Sequence, residues 1–181
     1  MSERRYSAAV ERLRSPERLE RLAVELVVQH TLSGQVFQSV LDVGTGSGVF
    51  AEAFAGQGLR VAGIDIREEM LEAARSFVPE GDFRLANMGR IPFGDGEFDV
   101  VFLGLVLHEA DHLGSAINEA YRAAGKRVMI LEWPYEAGEF GPPLEHRLRH
   151  EQVLDAAHAA GFKQAEQIPL QHLTLFRLDK A

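Results

Sequence analysis

The chain has 181 residues, a formal net charge of −8, 46% hydrophobic residues and no cysteine. That length suits one domain, 1–181, with a sizeable core, and the acidic balance argues against a broad nucleic-acid-binding face. The missing cysteines exclude disulfides, thiolate zinc sites, cysteine nucleophiles and thiolate-dependent cytosine-C5 methylation. The opening stretch MSERRYSAAVERLRS is charged and has no apolar signal core, and no later apolar run approaches ~20 residues. A soluble, cytoplasmic protein with no membrane partner is expected.

Ser15 followed by Pro16 reads as a helix start, with the serine able to cap and the proline harmless in the first turn. Leu19, Leu22, Ala23, Leu26 and Val27 then form one apolar stripe that ends near Ser33-Gly34, so residues 1–33 are expected to be a helical segment packed on the domain. Ahead of it, Arg4, Arg5 and Tyr6 read as a solvated or frayed helix, with a lid as the alternative. The stretch Val40 to Phe54, VLDVGTGSGVFAEAF, organises the rest: an apolar strand, an acid, three alternate glycines and a helix with Val49, Phe50, Ala53 and Phe54 on one face. Gly44, Gly46 and Gly48 let the backbone turn sharply and a ligand approach it over a helix N-terminus. A dinucleotide fingerprint wants a small residue where Val49 stands, and Asp42 would sit poorly beside a pyrophosphate but well beside an ammonium and a sulfonium.

LDVGTGSG resembles the first motif of the class I S-adenosylmethionine (SAM) dependent methyltransferases. LRVAGID, the next buried strand, closes on Asp65, 21 positions beyond Gly44, about where a doubly wound sheet brings a carboxylate to the ribose hydroxyls. Such a carboxylate would repel a 2′-phosphate. Its alternative role is an N-cap for the helix Arg67 to Val78, in which Met70, Leu71, Ala74 and Phe77 keep helical spacing. Asp82 to Ala86 alternates as a third strand. The stretch ANMGRIPFGDGEFDVVFL then gives a second match, to methyltransferases of the quinone-biosynthesis type, through Asn87, Ile91-Pro92-Phe93 and Phe98-Asp99. By that likeness Asn87 and the backbone of Met88 meet the adenine; a turn-forming Asn is the alternative.

Val100 to Leu107 is an unbroken apolar run, as in a central parallel strand covered on both faces, and it delivers LHEADH to the expected ligand crevice. Leu113 to Ala124 reads as a helix and Lys126 to Trp133 as a fifth strand. Gly138 to Pro143 reads as a loop, and GPPLEHRL, 141–148, resembles a segment that small methyltransferases often carry after the fifth strand. Glu151 to Ala160 is a helix stopped by Gly161, and FKQAEQI and HLTLFRL form a hairpin. The resemblance thus spans nearly the whole chain. It implies a Rossmann-like α/β fold: a mostly parallel seven-stranded sheet with an antiparallel last strand and helices on both faces.

The resemblance also implies SAM as cofactor, S-adenosylhomocysteine (SAH) as product, and a cofactor site made of Asp42, Gly44, Thr45, Gly46, Gly48, Asp65, Ile66, Met70, Asn87, Met88, Leu103 and Gly104. A base helps if the acceptor must lose a proton, and His108 is the first candidate because imidazole titrates near neutrality and its position faces the cleft; its alternative is to shape the pocket. His108, Glu109, His112, Glu132, Trp133 and Tyr135 are expected around the acceptor, although a lone tryptophan is commonly core. No Asn-Pro-Pro-aromatic motif of amide or base-amine methylation follows the fourth strand. The acceptor is expected to be a small molecule, and the protein a monomer or homodimer. Two alternatives belong to other classes. One is a SAM- or SAH-binding module without catalysis. The other is a zinc hydrolase through HEADH, 108–112, which is literally HExxH but emerges from a strand, carries Asp111 inside the motif and lacks an obvious third ligand. HRLRH at 146–150 reads as a solvated histidine face rather than a metal site.

Overall fold

Seven short runs rich in Val, Ile, Leu and Phe satisfy their backbone donors and acceptors by pairing into one sheet. In the computed structural model, which describes residues 9–181, these are β1 (Ser39–Val43), β2 (Arg60–Asp65), β3 (Asp82–Leu85), β4 (Phe98–Gly104), β5 (Ala124–Glu132), β6 (Ala165–Pro169) and β7 (Thr174–Asp179). Their order is β3-β2-β1-β4-β5-β7-β6. Strands β1 to β5 are parallel, and β7 runs antiparallel to both β5 and β6. This is the architecture expected from the sequence. The reading of Arg4, Arg5 and Tyr6 lies outside the described residues.

Among the described residues, the helices with defined bounds that cover the sheet are α1 (Pro16–Leu22), α2 (Val24–Leu32), α3 (Val49–Gly56), α4 (Glu68–Phe77), α5 (Leu113–Ala123) and α6 (His150–Ala160). Alternate residues of β1 enter opposite cores. Leu41 and Val43 join Val101, Leu103 and Ile130 against α5 and α6, while Val40 joins Val100, Phe102 and Met129 against α2, α3 and α4. Both ends of that alternation are buried, which is why the strands read as near-continuous apolar runs.

Four elements differ from the sequence expectation, each for a local reason. The N-terminal stripe is two helices: Ala23 adopts φ 49° and ψ 47°, ending α1 and starting α2. The break resets the register, so that Leu22, Val27 and Val28 are buried while Leu26 is exposed. Strand β4 stops at Gly104 instead of Leu107, because Leu105 turns to φ 55° with its N–H on Leu131 O at 2.8 Å. Strand β5 begins at Ala124, directly from α5. The hairpin's first strand begins at Ala165, because Phe162 is drawn into the core against Tyr121, ring centroids 4.9 Å apart.

The N-terminal helices are tied to the far side of the sheet. Arg127 on β5 is buried, pairs with Asp179 at 2.6 Å and donates to Thr31 O at 2.7 Å and Ser33 O at 2.8 Å. Arg177 on β7 donates to His30 O at 3.1 Å. Two guanidinium groups therefore satisfy the carbonyls that the end of α2 leaves without intrahelical partners.

Candidate active site

The parallel strands β1, β2 and β4 all end on one side of the sheet, and there a cavity of about 290 Å³ opens. Open α/β sheets bind ligands in this position because successive connections part there. The turn after β1 forms one wall. Gly44 and Thr45 both donate to Ile64 O, at 2.8 and 2.9 Å, which folds the turn across the tip of β2. Gly46 has φ 53°, and a Cβ there would meet nothing within 4 Å, so its backbone faces open space. Gly48, at φ 77°, serves packing: a Cβ would stand 3.0 Å from Ala74 Cα, so the glycine lets α3 approach α4.

Asp65 ends β2 on the cavity wall, 7% exposed. Its Oδ2 accepts from Gly46 N–H at 2.9 Å and its Oδ1 from Arg67 N–H at 3.0 Å. One carboxylate thus holds the glycine turn and the start of α4 while remaining at the cavity surface. Asp42 is 2% exposed and accepts from the Thr45 hydroxyl at 2.8 Å. Burial pushes its carboxyl up to about 7, against the Thr45 hydrogen bond and the Ala51 backbone, which favour the charge; the nearby Asp65 charge adds a little. Asn87 accepts from Gly89 N–H at 2.7 Å, the turn role, and also lines the cavity. A carboxylate that resists ionisation, a second one at the tip of β2, and an uncovered glycine backbone suit a cationic nucleoside.

Beyond the cavity lies a second polar centre. The His108 ring, 9% exposed, places Nδ1 at 2.9 Å from Glu132 Oε2, and Glu132 Oε1 also accepts from His108 N–H at 3.0 Å. Trp133 N–H donates to Oε2 at 3.2 Å. Burial works against charging His108, but the hydrogen bond and charge of Glu132, with the charge of Glu109, outweigh it and raise the imidazole above its ordinary value. The HEADH segment is not helical. A 3-10 turn covers only Leu107–Glu109, Ala110 is extended, and His112 precedes α5. Its two histidines therefore do not share the helical face that a zinc site of this type requires, and no group of three potential ligands gathers among the described residues.

Comparison with known proteins agrees with this geometry. The family model for a methyltransferase domain matches residues 41–129. Across 172 residues the chain is 31% identical to malonyl-[acyl-carrier protein] O-methyltransferase of Yersinia pestis, covering 93% of this chain and 60% of that protein. The chain is similar to the class I SAM-dependent methyltransferases. It is also 31% identical over 107 residues to demethylmenaquinone methyltransferase of Renibacterium salmoninarum, covering 58% of this chain and 44% of that protein. A SAM-dependent methyltransferase structure from Aquifex aeolicus superposes with a TM-score of 0.82 at 23% identity, covering 96% of this chain and 98% of that one, which shows the shared fold. The chain matches only 60% and 44% of the length of these two curated relatives.

In this chain the cavity brings together Asp42, Gly44, Thr45, Gly46, Asp65, Ile66, Asn87, Met88, Gly104 and Glu109 from the residues expected by sequence. Met70 and Leu103 are buried and Gly48 packs on α4, and none of the three lines the cavity. His108 turns onto Glu132 instead of facing the cleft. Trp133 is core, with Gly141 packed on its ring and the Arg147 guanidinium 5.5 Å from it. Tyr135 and His112 are exposed outside the cavity. Sequence reading missed Leu13, Arg18, Leu22 and Arg67, which also line it. Only Arg67, next but one to Asp65, carried a local signal. The other three belong to α1 and the residues just before it, whose arrival over the cavity depends on the break at Ala23.

Proposed function

We propose that this chain binds SAM in the cavity at the ends of β1, β2 and β4 and transfers its methyl group to a small-molecule acceptor. The observation that carries the reading is the convergence of Asp65, the bare Gly46 backbone and the cation-seeking Asp42 on one cavity, in a chain similar to this family. SAM supplies a methyl carbon already activated on sulfur: the acceptor's lone pair forms the new bond, the carbon–sulfur pair returns to sulfur to give SAH, and any acceptor proton is released.

The residues' work is binding, orientation and exclusion of water. Asp65 accepts from the ribose hydroxyls. Asn87 and the Met88 backbone meet the adenine edge, and Asp42 offers negative charge to the ammonium and sulfonium. Gly104 to Val106 cross the cavity floor, and the neighbouring Glu109 and Asp111 leave the acceptor side acidic. The two curated relatives carry names with dissimilar acceptors, malonyl-[acyl-carrier protein] and demethylmenaquinone. The acceptor of this chain is accordingly to be found by experiment.

One observation favours a second reading, a SAM- or SAH-binding module without catalysis: His108, the candidate base, is held by Glu132 outside the cavity. Two measurements separate the readings. Titration calorimetry with SAH is expected to give stoichiometric binding, and its absence would overturn both. Incubation of a cell extract with the protein and SAM labelled in the methyl group is expected to yield a labelled small molecule, and binding without such a product would favour the module.

A further inference from the structure

Four arginines crowd α1 and the residues just before it: Arg12, Arg14, Arg18 and Arg21. Two are engaged by the protein itself. Arg14 donates to Glu52 Oε2 at 2.7 Å and Ser47 O at 3.0 Å, and its guanidinium lies 3.3 Å from the centroid of the Phe77 ring. Arg21 lies 3.4 Å over the Phe140 ring. Arg12 is exposed.

Arg18 differs from all three. Its side chain lines the cavity, and its Nε is shut off from solvent with no hydrogen-bond partner. Arg14 Nε is also orphaned, but the Nη groups of Arg14 are bonded. Among the described residues Arg18 pairs with no carboxylate, although Asp42, Asp65, Glu109 and Asp111 line the same cavity. Burial, together with repulsion from Arg21 and Arg12, pulls its pKa below the usual arginine value. Arg18 is half-buried, and a guanidinium partly withdrawn from water without a counter-charge carries a cost that an anion delivered into the cavity would reduce.

This cavity already has a use for a ligand's positive charge, at Asp42. A ligand that also brings a negative group joins the two halves of the site. We infer that Arg18 binds the carboxylate of the amino-acid end of the cofactor, so that Asp42 and Arg18 read the two opposite charges carried there. The inference rests on the SAM reading above and adds a residue from the N-terminal helix to it. Arg18 is then a specificity residue: it makes affinity depend on the amino-acid end, and it draws α1 onto the bound cofactor.

The test compares SAH with 5′-methylthioadenosine, which keeps the nucleoside and thioether but lacks the amino-acid end, by titration calorimetry on wild type, Arg18→Gln and Arg18→Lys. A charge-assisted pair of this kind predicts that Arg18→Gln weakens SAH roughly 10- to 100-fold, while 5′-methylthioadenosine changes less than about twofold. Arg18→Lys should recover part of the loss. Unchanged 5′-methylthioadenosine binding also shows that the variant is folded. Equal SAH affinity in wild type and Arg18→Gln would overturn the inference and leave the SAM reading intact, as expected if the arginine serves an acidic acceptor. A proportional loss of both ligands would also overturn it. No binding of SAH to the wild type would sink the SAM reading and this inference together.

Discussion

Asp42 at the end of β1 and Glu132 at the end of β5 are both buried carboxylates, each 2% exposed. Among the described residues Asp42 is bonded by the Thr45 hydroxyl and pairs with no cation, and its carboxyl is pushed up to about 7. Glu132 has the His108 ring and two backbone N–H groups, and the imidazole facing it is raised although burial opposes the charge. The difference teaches what each strand end is for. At β1 the protein leaves a negative group wanting a positive one, which a ligand can bring; at β5 the positive partner is built in, and the pair fixes the turn after β4 to the end of β5.

The largest expected effect follows from the Asp42 side. Its folded pKa, about 7, lies above the ordinary aspartate value, so between about pH 4 and 7 the folded state holds a proton that the unfolded chain has lost. The free protein should therefore lose about 4 kcal/mol of stability from this group as pH rises across that window, with no further loss above about pH 8. Denaturant melts should show this slope in wild type and not in Asp42→Asn. SAH affinity should rise with pH up to about 7 in wild type and stay flat in the variant.

Next in size, on the proposed reading Asp65→Ala should weaken SAH about 100-fold by calorimetry, because two charge-assisted hydrogen bonds to the ribose would be lost. An unchanged affinity would place the sugar elsewhere. On the β5 side, Glu132→Gln should cost about 2 kcal/mol of stability in denaturant melts and leave SAH affinity unaltered. The pair's contribution is complete below the ordinary histidine pKa and lost as pH rises through the higher folded value, so the wild-type and variant curves should converge at alkaline pH. A large loss of SAH affinity in Glu132→Gln would erase the contrast drawn above. The smallest effect is Gly46→Ala, about 1 kcal/mol from the positive φ alone, since its Cβ would meet open space. Gly48→Ala should cost more, because the same strain is joined by contact with Ala74.

The β1 and β2 half of the site was legible in sequence because its signals are local. A short strand, a glycine turn and an acid at each strand tip are fixed by neighbours in the chain, and Asp42, Gly46, Asp65 and Asn87 all reach the cavity. The rest depended on events that periodicity does not carry. The apolar stripe from Leu19 to Val27 looks continuous, yet one left-handed residue, Ala23, splits it and helps to bring Arg18 over the cavity. Leu105 likewise takes a positive φ that its residue type does not announce, so the apolar run through β4 appeared longer than the strand. His108 was read as cleft-facing because nothing near it in sequence reveals Glu132, which comes 24 positions later.

The ties from Arg127 and Arg177 to the end of α2 have a bearing on how the molecule is made. Arg177 grips His30 across 147 positions of chain, and Arg127 reaches Thr31 across 96. During synthesis α2 therefore leaves the ribosome long before the strands whose arginines cap it, and the carbonyls at its end wait for β5 and β7 to be made.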